Sequence, residues 1–195
     1  TDRVETVAQQ GGGVPPFSHD AAGNRKLVKR PDGSTTEYRH NAANQVEGVT
    51  HRKADGSVLA QFDHTLDAAG RKTQAVELIN ATNPAGPVKR TVSYSYDATG
   101  KLKRETIAQT LPSALNLVID YTHDAVGNRT QRTVSGDQTR TTSYEYDAND
   151  RITKLSDSVD GVTTYGWDAR GNLISKTNGG NTTTYAWRSD NRLLS

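Results

Sequence analysis

Cysteine and methionine are both absent from the 195 residues, and apolar residues make up only 32% of them. Without cysteine there is no disulfide framework and no thiolate or zinc-cysteine chemistry, while the redox compartment stays open. So small an apolar share excludes a thick, dry core of the ordinary globular kind. No run approaches the roughly 18 apolar residues of a membrane span, and no signal-peptide pattern is present. Charge of one sign is lacking too: 24 Lys and Arg stand against 22 Asp and Glu without a basic block, which argues against a nucleic-acid partner. Disorder goes with high net charge and few aromatic or β-branched residues, whereas here the net charge is +2 and Thr, Val and Tyr are plentiful. The chain reads as folded and thinly cored. It opens at Thr1 and has no methionine, which reads as a piece of a longer polypeptide.

What the chain does have is a repeat. The stretches YEYDANDRITKLS, from Tyr144 to Ser156, and YGWDARGNLISKT, from Tyr165 to Thr177, are near copies. Anchored on the acidic position, eight copies appear, at Asp20, Asn41, Asp67, Asp97, Asp124, Asp147, Asp168 and the degenerate Arg188. Three residues before the anchors stand Phe17, Tyr38, His64, Tyr94, Tyr121, Tyr144, Tyr165 and Tyr185. One residue before them stand His19, His40, Leu66, Tyr96, His123, Tyr146, Trp167 and Trp187, on the same face of a strand. Only Phe62 among the Phe, Tyr and Trp residues falls outside these two slots. Each repeat is expected to bury its aromatic pair against its neighbours.

Three residues after the anchors come Gly23, Asn44, Gly70, Gly100, Gly127, Asp150, Gly171 and Asn191, types that tolerate positive φ. With Asp first and Gly or Asn fourth, the pattern predicts a hairpin loop on a type I turn, its Asp bonded to the backbone two residues on. Return strands follow, as in Arg129–Val134 and Leu173–Thr177, and a second turn signal such as Pro31-Asp32-Gly33 or Asp160-Gly161 closes most repeats. The longer repeats are expected to hold their extra residues in the second loop, around Asn80–Pro87 and Thr110–Leu117. Residues 1–16 read as a leading segment or incomplete repeat, and 17–195 as the eight repeats. The expected class is all-β, a continuous antiparallel ribbon of tandem hairpins.

Tyr94-Ser-Tyr-Asp97-Ala-Thr-Gly100, Tyr121-Thr-His-Asp124-Ala-Val-Gly127-Asn128-Arg129 and Tyr165-Gly-Trp-Asp168-Ala-Arg-Gly171-Asn172-Leu173 resemble the YD repeat of the Rhs family. That family includes bacterial Rhs polymorphic toxins, the C components of insecticidal toxin complexes and the teneurins. The resemblance covers nearly the whole chain, and it implies a spiralling β-sheet forming part of a hollow shell around a C-terminal toxin domain. The family's self-cleaving core with Asp-Pro sequence is not matched: this chain contains no Asp-Pro dipeptide. No protease residue is carried over.

Read individually, the residues offer little chemistry. His19, His40 and His123 precede acidic anchors, but Tyr or Trp fills the same slot elsewhere, so a packing ring is the simpler role. His51 and His64 are too isolated for a metal site. Each turn offers one carboxylate, too few oxygens for calcium, so turn fixing is assigned to Asp20, Asp67, Asp97, Asp124, Asp147 and Asp168 with Gly23, Gly70, Gly100, Gly127 and Gly171. No G-x-S-x-G, H-E-x-x-H or P-loop occurs, and no enzyme or cofactor is expected.

Two functions follow. The first is a shell segment of a secreted or surface bacterial protein, partnered by the rest of the shell and an enclosed C-terminal cargo. The second is an extracellular module that binds carbohydrate or a partner protein through its aromatic stripe or loops. Open strand edges also suggest edge-to-edge self-association.

Overall fold

A computed structural model of the chain describes residues 17–80, 87–111 and 113–194. Among these residues there is no helix, and so none long and apolar enough to cross a membrane. Fifteen strands follow one another: β1 Phe17–His19, β2 Arg25–Lys29, β3 Thr35–His40, β4 Val46–Arg52, β5 Val58–Leu66, β6 Lys72–Ile79, β7 Val88–Tyr96, β8 Leu102–Leu111, β9 Leu115–His123, β10 Arg129–Gly136, β11 Arg140–Tyr146, β12 Ile152–Asp157, β13 Gly161–Trp167, β14 Leu173–Asn178 and β15 Asn181–Thr184. They lie in chain order in one open antiparallel sheet with no crossover. The leading segment 1–16 and most of the Asn80–Pro87 insertion fall outside the described residues.

The sequence builds each hairpin in one way. The anchor N–H donates to the carbonyl four residues on, and the N–H of the residue three on donates back to the anchor carbonyl, at all eight anchors. That third residue has positive φ in every case, including the non-glycines Asn44, Asp150 and Asn191 at about 60°. The ring three before the anchor then pairs with the residue eight after it, as in Tyr38↔Val49, Tyr121↔Arg132, Tyr144↔Leu155 and Tyr165↔Lys176. Between this pair and the turn the return strand carries one unpaired residue, namely Lys26, Glu47, Thr73, Thr130, Thr153 or Ile174. Such a bulge increases local twist and re-aims the side chains beside it.

The chain divides into two compact units, one of residues through Ser95 with Thr106–Asn116, the other of Tyr96–Glu105 and the residues from Leu117 on. In the first the buried positions are Val28, Thr36, Gly48, Ala60, Ala75 and Val92; in the second they are Ile119, Val134, Thr142, Asp157 and Thr163. Apart from Gly48, which lies under Arg39 on the opposite face, the core is a scatter of small side chains screened by their neighbours on one face, and stability rests on the ladders and cross-strand pairs.

Two expectations are corrected here. The buried positions are not the aromatic slots: five of them, Thr36, Val92, Ile119, Thr142 and Thr163, lie five residues before an anchor, while every aromatic is only half-buried. A long ring on a single sheet shields a short neighbour more completely than it is shielded itself. The extra residues around Thr110–Leu117 do not form a long loop either, since β8 runs to Leu111 and β9 starts at Leu115. Insertion there lengthens the strands, because every added residue can take a ladder bond.

Candidate functional site

Alternation along the strands gives the sheet two unlike faces. One carries Phe17, Tyr38, Tyr94, Tyr96, Tyr121, Tyr144, Tyr146, Tyr165 and Trp167, with Tyr185 and Trp187 just past β15, all half-buried. The other carries polar residues and exposed ion pairs, such as Arg104 with Asp120 and Arg39 with Glu47 and Asp63. Arg39 lies flat over Gly48, where a Cβ would come within 2.8 Å of its guanidinium.

At Trp167, Trp187 and Tyr146 the ring one before the anchor has a specific job. Trp167 Nε1 donates to the Ile152 carbonyl at 2.7 Å, Trp187 Nε1 to that of Leu173 at 2.7 Å, and Tyr146 OH to that of Arg129 at 2.9 Å. Each acceptor is the first residue of the preceding return strand, so each ring reaches back across one strand to the previous repeat. Arginines join the ring layer: Arg129 lies 4.6 Å from the Tyr144 centroid and 5.7 Å from that of Tyr121, and Arg25 lies 5.0 Å from that of Phe17.

At the turns, the anchor Oδ1 accepts from backbone N–H groups. Asp168 takes those of Arg170 at 2.9 Å and Asn172 at 2.8 Å, and Asp67, Asp97 and Asp147 do likewise. Asp20 accepts from the Asn24 N–H, and Asp124 from those of Gly127 and Asn128. These bonds hold the carboxyls below the usual carboxylate range: for Asp168 the Asn172 side chain leads, and for Asp147 that of Arg151. Gly23, Gly70, Gly100, Gly127 and Gly171 occupy the left-handed position of the same turns.

The residue after the glycine links one turn to the next. Asn24 donates to Asp20 and also to the Asn44 side chain at 2.8 Å; Asn128 donates to Asp124 and to Asp150 at 2.7 Å; Asn172 donates to Asp168 and to Asn191 at 3.1 Å. Arg151 bonds Asp147 and reaches the Asp168 carbonyl at 3.2 Å. Sequence reasoning passed over this column, though Asn24, Gln45, Arg71, Lys101, Asn128, Arg151, Asn172 and Arg192 are all polar hydrogen-bond donors.

Two polar groups on the aromatic face could be taken for chemistry. Thr36 Oγ1 lies 2.9 Å from His51 Nδ1, which resembles a nucleophile beside a base. Thr36 is only 1% exposed and its other neighbour is the Arg30 guanidinium at 3.1 Å, so substrate cannot reach it and no carboxylate orients the imidazole. Asp157, with its side chain 1% exposed, accepts from Thr142 Oγ1 at 2.5 Å, Arg140 Nε at 2.8 Å and two backbone N–H groups. The Thr142 bond leads in holding its carboxyl far below the usual range. Neither group was singled out from sequence, because the partners lie 15 to 17 residues apart. His19, His40 and His123 sit in the ring slot before the anchor. Among the described residues no three His, Cys, Asp or Glu side chains gather to hold a metal.

Residues 19–58 and 146–184 match the RHS Repeat family, one stretch toward each end of the strand series. No curated protein matches the chain. Among solved structures, a Tc holotoxin pore of Photorhabdus luminescens carrying a TccC3 mutation aligns with TM-score 0.55 at 16% identity, over 88% of this chain and 12% of that one. A TcdB2-TccC3-TEV structure aligns with TM-score 0.46 at 14% identity, over 96% and 13%. A porin-like protein from Bacteroides uniformis aligns with TM-score 0.46 at 13% identity, over 93% and 90%. The chain thus spans about an eighth of the toxin chains it aligns with. Residues 19–58 and 146–184 are thus RHS repeats, and the hairpins between them are built on the same turn.

Proposed function

We propose that the chain is a stretch of shell wall in a larger secreted or surface-delivered bacterial protein, holding a C-terminal toxin or effector domain apart from its surroundings. The observation that carries this reading is the constant hairpin register, repeated without a crossover. A sheet whose two faces both carry polar and charged groups suits a partition between two wet spaces, and the fold shared with the Tc holotoxin chain supports the comparison. In this role the residues need supply only stable hairpins and a lining; no reactive group is required. Limited proteolysis of the intact parent protein, native and denatured, tests it. A downstream segment protected only while the repeats are folded is the expected cargo; a downstream segment cut freely while the repeats resist would remove the enclosure.

One observation favours a second reading, recognition of carbohydrate or a partner protein: every aromatic ring keeps part of its surface accessible. That reading requires glycan or protein binding that Trp167→Ala abolishes while the melting temperature holds. Loss of binding only in step with unfolding would remove it.

A further inference from the structure

On the aromatic face of the second unit, an open groove of about 490 Å³ crosses β10 to β14. Four cations line it: Arg129 and Arg132 on β10, Arg140 on β11 and Lys176 on β14. Two carboxylates, Asp157 and Asp160, stand among them, and both pair with Arg140. Neither reaches Arg129, Arg132 or Lys176, so the groove carries an excess of positive charge. These cations are also placed. Arg129 is stacked against Tyr144 and donates to its hydroxyl at 3.0 Å, Arg132 pairs across the strands with Tyr121, and Lys176 pairs with Tyr165.

We infer that this groove is a docking surface for an extended acidic stretch of polypeptide, laid across the strands with its carboxylates on Arg129, Arg132 and Lys176. Charge complementarity selects an anionic partner. Asp157 on Arg140 already shows the mode of capture, a carboxylate against a guanidinium on this face. The Arg129 guanidinium covers the face of Tyr144 on which a sugar ring would stack, which favours peptide over glycan. From β10 to β14 there are four interstrand steps of about 4.8 Å, a span that roughly six extended residues bridge. The inference does not depend on the shell reading, since it rests on the groove alone.

Fluorescence anisotropy with the whole chain tests it, using a labelled peptide of alternating Glu and Gly, a Gln-Gly peptide of equal length, and a sulfated oligosaccharide. The Glu peptide binds at low salt, the Gln peptide does not, and raising the salt weakens the complex. Arg129→Gln with Arg132→Gln and Lys176→Gln weakens binding at least about tenfold. Lys176→Gln alone, at an exposed position, leaves the melting temperature unchanged and still weakens binding measurably. Undiminished binding by a folded Lys176→Gln variant, no binding of the Glu peptide, or tighter binding of the oligosaccharide would each overturn the inference.

Discussion

Trp167 and Ile152 stand fifteen residues apart in sequence and are joined by an indole N–H to carbonyl bond of 2.7 Å. The bond ties the ring of one repeat to the backbone of the repeat before it, at the mouth of a hairpin turn. Trp167→Phe keeps a ring and deletes the donor. The expected loss is about 1–2 kcal/mol, since a hydrogen bond is removed and a half-buried carbonyl is left unpaired. Urea unfolding of both proteins measures it, and an unmoved midpoint would show that the ring only packs.

Tyr144 is half-buried, which lowers what its truncation costs. Fully buried aromatics lose about 3–5 kcal/mol on replacement by Ala, so Tyr144→Ala is expected to lose roughly half that. Part of the loss comes from releasing Arg129, which both stacks on the ring and bonds its hydroxyl. Arg129→Ala combined with Tyr144→Ala should then cost less than the two separate losses added together, in a double-mutant cycle.

Gly171 sits at φ +88° with open space beyond a guanidinium 3.9 Å from its would-be Cβ, so conformation and not room decides what fits. Asn44 and Asn191 hold the same turn position at φ near +60°. Gly171→Asn is expected to be nearly silent and Gly171→Val to cost about 1–3 kcal/mol. Thermal melts of the pair separate a conformational demand from a steric one.

Asp157 sets a dependence on acid. Its carboxyl is held far below the ordinary value, first by Thr142 and then by backbone N–H groups and Arg140. A depressed carboxyl contributes stability that is present above its unfolded pKa, about 3.9, and is lost as pH falls toward the folded value. Asp157→Asn should therefore melt well below the parent at neutral pH, with the gap closing below about pH 3. A gap that stays constant with pH would assign the loss to shape alone.

His64 works in a different window. It fills a slot held by Tyr in most repeats, and its Nδ1 is buried without a hydrogen-bond partner. Burial, aided by Lys72, lowers its pKa, so the folded state resists the proton that the unfolded state accepts. Stability is then full above about pH 6.5 and falls as pH drops through that value toward the folded pKa. His64→Tyr should gain on the parent between about pH 7.5 and 5.5, as melts across that range would show.

Much of this architecture could be read from letters. The anchors, the positive-φ column and the ring slots recur every 20 to 30 residues, and periodic signals survive without any knowledge of contacts. What escaped were positions defined by a partner on another strand. The slot five before the anchor is held by Phe62, half-buried, and by Thr36, Val92, Ile119, Thr142 and Thr163, all buried, which share neither size nor polarity, only a place across from the return strand. Phe62, which fits neither ring slot, belongs to this column. Asp157 lies outside the recurring slots, and only pairing with Thr142 makes it a buried carboxylate.

The unpaired residue of six return strands recurs at one fixed distance from its anchor, in hairpins whose sequences otherwise differ. Two such genes, or two stretches of one gene, could therefore exchange segments at matching anchors and still present every donor to its acceptor. Whole repeats could be gained or dropped by recombination without re-registering those on either side. Repeat number is then free to vary by whole hairpins while the hairpin itself stays constant.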